Sequence, residues 1–181
     1  MEFKTFLESY DKKIVIKRDS LCGGKGVLVM DEHFNSKEEC YNICHEYFSN
    51  NQDFHIEEKL EGEEFSLISI TDGINIKHFP PIQDYKRAYE DNTGPNTGGM
   101  GCIMNCLDFL TQDDIINSEN INEIVSKNIS EYLKTDKSYK GILYGSFIKT
   151  SDSIKLIEYN CRFGDPEIIP LLENMKSSFL D

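Results

Sequence analysis

The chain has 181 residues and a formal charge of −13, from 32 acidic against 19 basic side chains. That length allows one domain or two small lobes around a buried core, and that charge argues against a nonspecific nucleic-acid or anionic-membrane surface. No run reaches transmembrane length and the N-terminus has no signal-peptide pattern, so a cytoplasmic protein with neither nucleic-acid nor membrane partners is expected, and any phosphate site must be local.

Phe3, Phe6, Leu7 and Tyr10 read as the end of a short amphipathic helix. Residues 13–17 (KIVIK) form a buried-type strand, 18–25 (RDSLCGGK) a loop, and 26–30 (GVLVM) a second strand, together a hairpin with a glycine-rich tip. Ser36 and Glu39 make a capping box that opens a helix, along which Cys40, Ile43, Cys44, Tyr47 and Phe48 recur at helical spacing. Short strands follow at 54–58, 63–70 and 74–79, the last two joined by Thr71-Asp72-Gly73. Residues 80–101 have little periodicity; a loop of that length in a compact domain is usually functional or disordered. Ile121, Ile124, Val125, Ile129, Tyr132 and Leu133 predict a second amphipathic helix. Closing strands are expected at 142–149 and 153–159, and a last helix from near Glu167 that is still running where the sequence stops. The pattern is α+β, in two lobes: 1–79, with a flap at 18–26, and 80–181. The six cysteines form no C-x-x-C pair and the four histidines no ligand pattern; reduced cysteines serving as small apolar residues are expected.

Five stretches carry chemistry. Lys17 ends a strand, and Lys25 sits in Gly23-Gly24-Lys25-Gly26. Glycines let backbone N–H groups approach phosphate oxygens and the lysine adds charge, although a plain hairpin turn uses the same residues. Glu57, Glu58, Leu60 and Glu64 surround a strand–turn–strand joint whose acids suit an adenine amino group and ribose hydroxyls, or simply a solvated turn. Asp84, Lys86 and Arg87 put two cations beside an acid. Residues 94–101 (GPNTGGMG) can form an anion-binding nest, with Asn96 and Thr97 adding hydrogen bonds, or a flexible surface loop. Residues 158–167 (EYNCRFGDPE) follow an alternating strand. Residues two apart on a strand share a face, so Glu158 and Asn160 present two hard oxygen ligands of the kind Mg²⁺ accepts when phosphates complete its shell. Arg162, Asp165 and Glu167 then place charge of both signs in a turn beside that pair.

With these blocks in this order, from about Lys13 to Lys176, the chain resembles the ATP-grasp domain of the phosphoribosylamine–glycine ligase family. GPNTGGMG together with NCRFGDPE is specific to that family within the ATP-grasp superfamily. The resemblance implies an ATP-grasp fold with nucleotide between two α+β lobes. It implies ATP-dependent ligation of glycine to 5-phosphoribosylamine through a glycyl phosphate, in de novo purine synthesis. The alternative is a truncated fragment that binds Mg-ATP without catalysis. ATP and Mg²⁺ (or Mn²⁺) are the implied cofactors. Lys17 and Lys25 are placed on the phosphates, Glu57, Glu58 and Leu60 at the adenine edge, Glu64 on the ribose, and Glu158 and Asn160 on the metal. Asp84, Lys86, Arg87, Asn96, Thr97, Gly98 and Arg162 are implied substrate contacts, with Lys86, Arg87, Arg162 and Asp165 nearest the chemistry. Ser20 stands where the family has glycine and Tyr85 where it has histidine. The family's N-terminal Rossmann-like and C-terminal domains are absent from these residues, and their supply on another chain is one arrangement the resemblance allows.

Overall fold

The computed structural model describes residues 2–20, 22, 26–91, 93–132, 134 and 138–178, with only the backbone considered at Asn96 and Ser130. It divides into two compact units, Met1–Leu60 and Glu61–Asp181.

The first unit runs α1 (Glu2–Ser9), β1 (Ile14–Arg18), β2 (Val27–Val29), α2 (Lys37–Ser49) and β3 (Phe54–Glu58). Its antiparallel sheet has the order β2-β1-β3. Alternation along β1 sends Ile14 and Ile16 into a core with Leu7, Phe34, Cys40 and Cys44. The expected capping box forms: Ser36 Oγ accepts from Glu39 N at 3.1 Å, while the Glu39 carboxylate accepts from Asn35 N at 2.7 Å. Cys40 and Cys44 are buried free thiols, as their helical spacing suggested, whereas Cys106 and Cys161 are exposed.

The second unit contains β4 (Glu63–Thr71), β5 (Ile76–His78), β6 (Ile82–Asp84), β7 (Arg87–Tyr89), β8 (Thr93–Asn96), β9 (Cys102–Met104), α3 (Gln112–Tyr132), β10 (Gly141–Lys149), β11 (Ile154–Asn160) and α4 (Ile168–Glu173). Strands order as β11-β10-β4-β6-β9, with β5 also on β4. The units therefore part at Leu60/Glu61 and not after Phe79. β4 pairs with β10 along its whole length, from Glu63↔Lys149 to Thr71↔Gly141, and so belongs to the second sheet. Residues 80–101, read as aperiodic, contain three short strands, and β7 pairs with β8 as a hairpin of its own. The final helix ends at Asn174 and does not run to the end of the sequence.

The second sheet has two faces. Phe65, Leu67 and Phe147 pack with Leu107, Ile121, Ile154 and Leu156 on the α3 side. Ile68, Ile82 and Tyr144 pack with Leu171 and Phe163 on the other. The face of α3 differs from the apolar stripe expected. Asp114, Ser118 and Asn122, spaced at i, i+4 and i+8, are the buried residues, while Ile124 and Tyr132 are exposed and Leu133 lies outside the described residues. Each of these three side chains has a hydrogen-bond partner. Asn122 Nδ2 donates to Leu67 O (3.2 Å) and Ser69 Oγ (2.8 Å), and its Oδ1 accepts from Tyr159 Oη (2.9 Å). Asp114 Oδ1 meets Lys149 Nζ at 2.6 Å, and its Oδ2 accepts from Thr111 N and Oγ1 at the helix start.

The Lys149 ammonium and then the Thr111 N–H hold the Asp114 carboxyl below the ordinary aspartate range. A depressed carboxyl stabilises the fold above its unfolded pKa and loses that contribution as pH falls through the folded value. Asp114→Asn is accordingly expected to lower stability at neutral pH by about 1 kcal/mol, read as a lower melting temperature. It should also flatten the acid-side loss of stability below about pH 5. Parallel melting-temperature curves for the two proteins from neutral to acid pH would contradict this.

Candidate functional site

A break in the ladder decides where Glu158 and Asn160 point. Along β11, Leu156 pairs with Phe147 but Glu158 pairs with Ser146, so Ile157 is an extra residue in a bulge. Before the bulge, Ile154 and Leu156 lie on the α3 face. Unbroken alternation would have sent Glu158 and Asn160 into the same face, against apolar side chains. The bulge reverses the parity. Tyr159 now reaches Asn122 of α3, and Glu158 and Asn160 stand on the opposite face beside Ser146 and Tyr144. Asn160 Nδ2 lies 3.5 Å from Glu158 Oε1, so the two side chains are adjacent.

The turn after β11 is held by two inward residues. Phe163 packs with Ile68, Ile82, Tyr144 and Leu171. Glu167 is only 2% exposed, and its Oε1 accepts from Tyr144 Oη at 2.6 Å. Ser66 Oγ–H is shared between Tyr144 Oη (2.8 Å) and Glu167 Oε1 (3.3 Å). A Cβ on Gly164 would stand 2.3 Å from Glu167 Oε2, so the turn needs that glycine. Glu167, read from the sequence with Arg162 and Asp165 as charge in the turn beside the oxygen pair, is instead a buried anchor. Arg162 and Asp165 alternate with these anchors and are exposed. Arg162 Nη1 donates to Phe163 O at 2.9 Å.

On the same face, Glu64, Ser66, Asp84, Lys86 and Ser146 line a small pocket. Asp84 is 5% exposed at its side chain, with Oδ2 3.7 Å from Lys86 Nζ. Its Oδ1 is buried without a hydrogen-bond partner. Burial, and then the Glu167 charge, push the Asp84 carboxyl up, while Lys86 opposes them. Burial and the bond to Glu167 likewise push the Tyr144 phenol up.

The glycine-rich loop is ordered from within. Thr97 N and Oγ1 both donate to Lys86 O (2.7 and 2.8 Å), and Thr97 Oγ1 accepts from Gly99 N. Arg87 Nη1 donates to Gly94 O at 3.0 Å. The substrate contacts implied for Thr97 and Arg87 thus meet side chains that shape the hairpin. Gly98 is exposed, with open space where a Cβ would be. Gly99, at φ +126°, is tighter: a Cβ there would lie 2.6 Å from Pro166 Cδ and 3.4 Å from Asp84 Oδ1. The loop and the turn therefore touch. The Asn96 side chain lies outside the described residues.

In the first unit, Lys17 lies on the sheet face opposite α2, since Ile14 and Ile16 of the same strand face the core they share with Cys40 and Cys44. Its Nζ is 2.7 Å from Glu57 Oε2, and His55 Nε2 is 3.1 Å from Glu57 Oε1. Glu58 pairs with Lys12 at 2.7 Å, and Leu60 is half-buried at the unit's end. Lys25 lies outside the described residues. Within the first unit the structure brings Lys17 and Glu57 together; within the second it gathers Glu158 and Asn160 with the Arg162–Asp165 turn, and Glu64 with Asp84 and Lys86.

The sequence reading assigned no role to Ser66, Tyr144 and Ser146, and it named Glu167 only as one of the charges in the turn. Their signal was weak: Tyr144 and Ser146 stand two apart on one strand, Ser66 interrupts another, and Glu167 directly precedes the apolar run Ile168-Ile169.

The fold is that of ATP-grasp proteins. It is shared by a biotin carboxylase from Campylobacter jejuni, at a TM-score of 0.62 and 13% identity over 92% of this chain and 35% of that one. At the level of sequence, the family model for the phosphoribosylglycinamide synthetase ATP-grasp (A) domain matches residues 1–168. Phosphoribosylamine–glycine ligase of Methanocella arvoryzae is 41% identical over 171 residues, 93% of this chain and 39% of that protein. That of Methanothermobacter thermautotrophicus is 40% identical over 187 residues, 99% of this chain and 42% of that protein. The crystal structure of phosphoribosylamine–glycine ligase from Thermotoga maritima matches at a TM-score of 0.72 and 31% identity, over 92% of this chain and 42% of that one. The chain belongs to the phosphoribosylglycinamide synthetase ATP-grasp domain family. It spans about two-fifths of the length of these relatives.

Gly99→Ala places a β-carbon against Pro166 at a positive φ. The bonds Met100 N to Tyr85 O (2.7 Å) and Tyr85 N to Gly101 O (2.9 Å) border that position. Amide exchange at Met100 and Tyr85 is expected to accelerate about tenfold or more with little change in the global melting temperature. Unchanged exchange at both amides would show that the loop does not depend on the contact.

Proposed function

We propose that this chain carries the ATP-grasp part of a phosphoribosylamine–glycine ligase. In this reading Mg-ATP phosphorylates the carboxylate of glycine, and the amine of 5-phosphoribosylamine attacks the acyl phosphate to give glycinamide ribonucleotide, ADP and phosphate, in the cytoplasm. The observation that carries the reading is the bulge at Ile157, which turns the hard-oxygen pair of a family-matched strand onto the face that also bears Asp84 and Lys86.

ATP-grasp ligases use ATP and a divalent metal. Glu158 and Asn160 fit that ion: one carboxylate and one amide lie side by side on an open strand end, and turning the Asn160 amide over presents Oδ1 beside Glu158. Among the described residues no group of three His, Cys, Asp or Glu side chains forms a self-sufficient metal cage. A pair that leaves most of the shell to phosphate oxygens and water suits Mg²⁺, and Mn²⁺ shares its preference for oxygen. Bound there, the ion would neutralise phosphate charge.

The remaining roles belong to the chain's own side chains. Carboxylate and phosphate oxygens repel, so cations must bring them together. Lys17 and Lys25 are proposed to hold phosphates, Glu57, Glu58 and Leu60 the base, and Glu64 the ribose. Lys86, Arg87 and Arg162 would offset the charge that builds up at transfer, with Asp165 orienting Arg162's side of the turn. Asp84, Asn96, Thr97 and Gly98 would complete the substrate surface. No covalent enzyme intermediate is required.

The test is ADP release by the purified chain with Mg-ATP, glycine and freshly generated phosphoribosylamine. Turnover that needs both substrates and falls roughly 100-fold or more in Glu158→Gln is expected. Turnover unaffected by that substitution would remove the metal assignment. Nucleotide binding with no turnover would assign the chain a binding role alone.

A further inference from the structure

One side chain of α3 bridges three strands of the second sheet. Asn122 is wholly buried and stands over Gly145 of β10: a Cβ on that glycine would lie 3.0 Å from Asn122 Oδ1 and 2.5 Å from Phe147 Cε2. Gly145 pairs with Leu67 of β4 on one side and with Tyr159 of β11 on the other. The missing side chain lets a single amide reach both neighbouring strands across β10. Its Nδ2 donates to Leu67 O and Ser69 Oγ, and its Oδ1 accepts from Tyr159 Oη.

That amide cannot be turned over. Leu67 O only accepts, so the side facing β4 must be the donor Nδ2 and the side facing β11 the acceptor. An acceptor over Gly145 discriminates between two registers of β11. With the bulge at Ile157, Gly145 meets Tyr159, whose hydroxyl donates to Asn122. Without the bulge, the pairing of Leu156 with Phe147 would run on to set Glu158 opposite Gly145, and two acceptors would face each other in a buried place. Asn122 therefore stabilises the register that sends Glu158 and Asn160 to the other face and opposes the one that does not. A single buried polar side chain can fix register in this way.

We propose that Asn122, acting through the Tyr159 hydroxyl, is a positioning residue for the Glu158–Asn160 pair. It lies on the opposite face of the sheet from that pair, and it holds the strand end in the register that presents both oxygens together. What the pair binds is taken from the ligase reading; the register is not.

Three variants of the purified chain separate positioning from general stability. Tyr159→Phe removes the tie to β11 and keeps the ring. Asn122→Asp keeps an acceptor for Tyr159 but gives up the amide donors to β4. Asn122→Leu removes all three bonds. One readout is Mn²⁺ affinity, by electron paramagnetic resonance in the presence of a non-hydrolysable ATP analogue. The other, taken without metal or nucleotide, is the set of amide NMR signals of Glu158 and Asn160. Tyr159→Phe and Asn122→Leu are expected to weaken Mn²⁺ roughly tenfold and to split both amide signals into two sets. Asn122→Asp, although it melts at a lower temperature than Tyr159→Phe, should keep the parent's Mn²⁺ affinity and single signals. Mn²⁺ affinities that simply follow the melting temperatures would make Asn122 a core residue only and overturn the proposal. Single, unshifted signals in Tyr159→Phe would do the same. A parent chain that binds no Mn²⁺ beside the nucleotide counts against the metal assignment of the ligase reading, and the metal-free signals then decide the register by themselves.

Discussion

One strand has to serve two environments. β11 lies at the edge of the second sheet, and its first half must bury Ile154 and Leu156 against α3. Its second half turns Glu158 and Asn160 to the opposite side. A regular strand cannot do both, because side chains alternate with a fixed period of two. The extra residue at Ile157 resolves the conflict at the cost of one ladder interruption. The orientation of Glu158 and Asn160, the reach of Tyr159 to Asn122, and the position from which the next turn starts all follow from it.

The turn itself is stabilised by a group that resembles catalytic machinery but is structural in its contacts. Glu167 binds no backbone N–H of the helix it precedes; its side chain enters the sheet and meets Tyr144 and Ser66. A carboxylate in that position is costly to bury, and hydroxyl donors offset only part of the cost. Its residual field reaches Asp84 and Cys102, whose acidic groups are raised first by their own burial and then by that charge. Anchoring and electrostatics are therefore inseparable here. The group that anchors the turn carrying Arg162 and Asp165 also adds negative charge beside Asp84.

Much of this was legible in the sequence where the signal is local. The capping box at Ser36, the strand at β1 and the adjacency of Glu158 and Asn160 follow from neighbouring residues. What was not legible depends on partners distant in the chain. α3 faces the sheet with Asp114, Ser118 and Asn122, which no apolar periodicity can reveal, because each is made tolerable by a hydrogen bond. The strands between 82 and 96 are too short and too polar for alternation to register. The boundary at Leu60 rather than Phe79 reflects the full-length pairing of β4 with β10, nearly eighty residues downstream. Family resemblance supplied roles for individual residues, but not that Thr97 and Arg87 bond to the hairpin's own backbone.

Gly99 against Pro166 has a consequence for linkage. Two segments more than sixty residues apart in sequence approach so closely that no β-carbon fits between them. A ligand that favours one arrangement of the turn must favour a matching arrangement of the loop, and the dependence is reciprocal. Were ligands to bind at the strand end and beneath the loop, this steric contact would couple the two, with no charge passing between them.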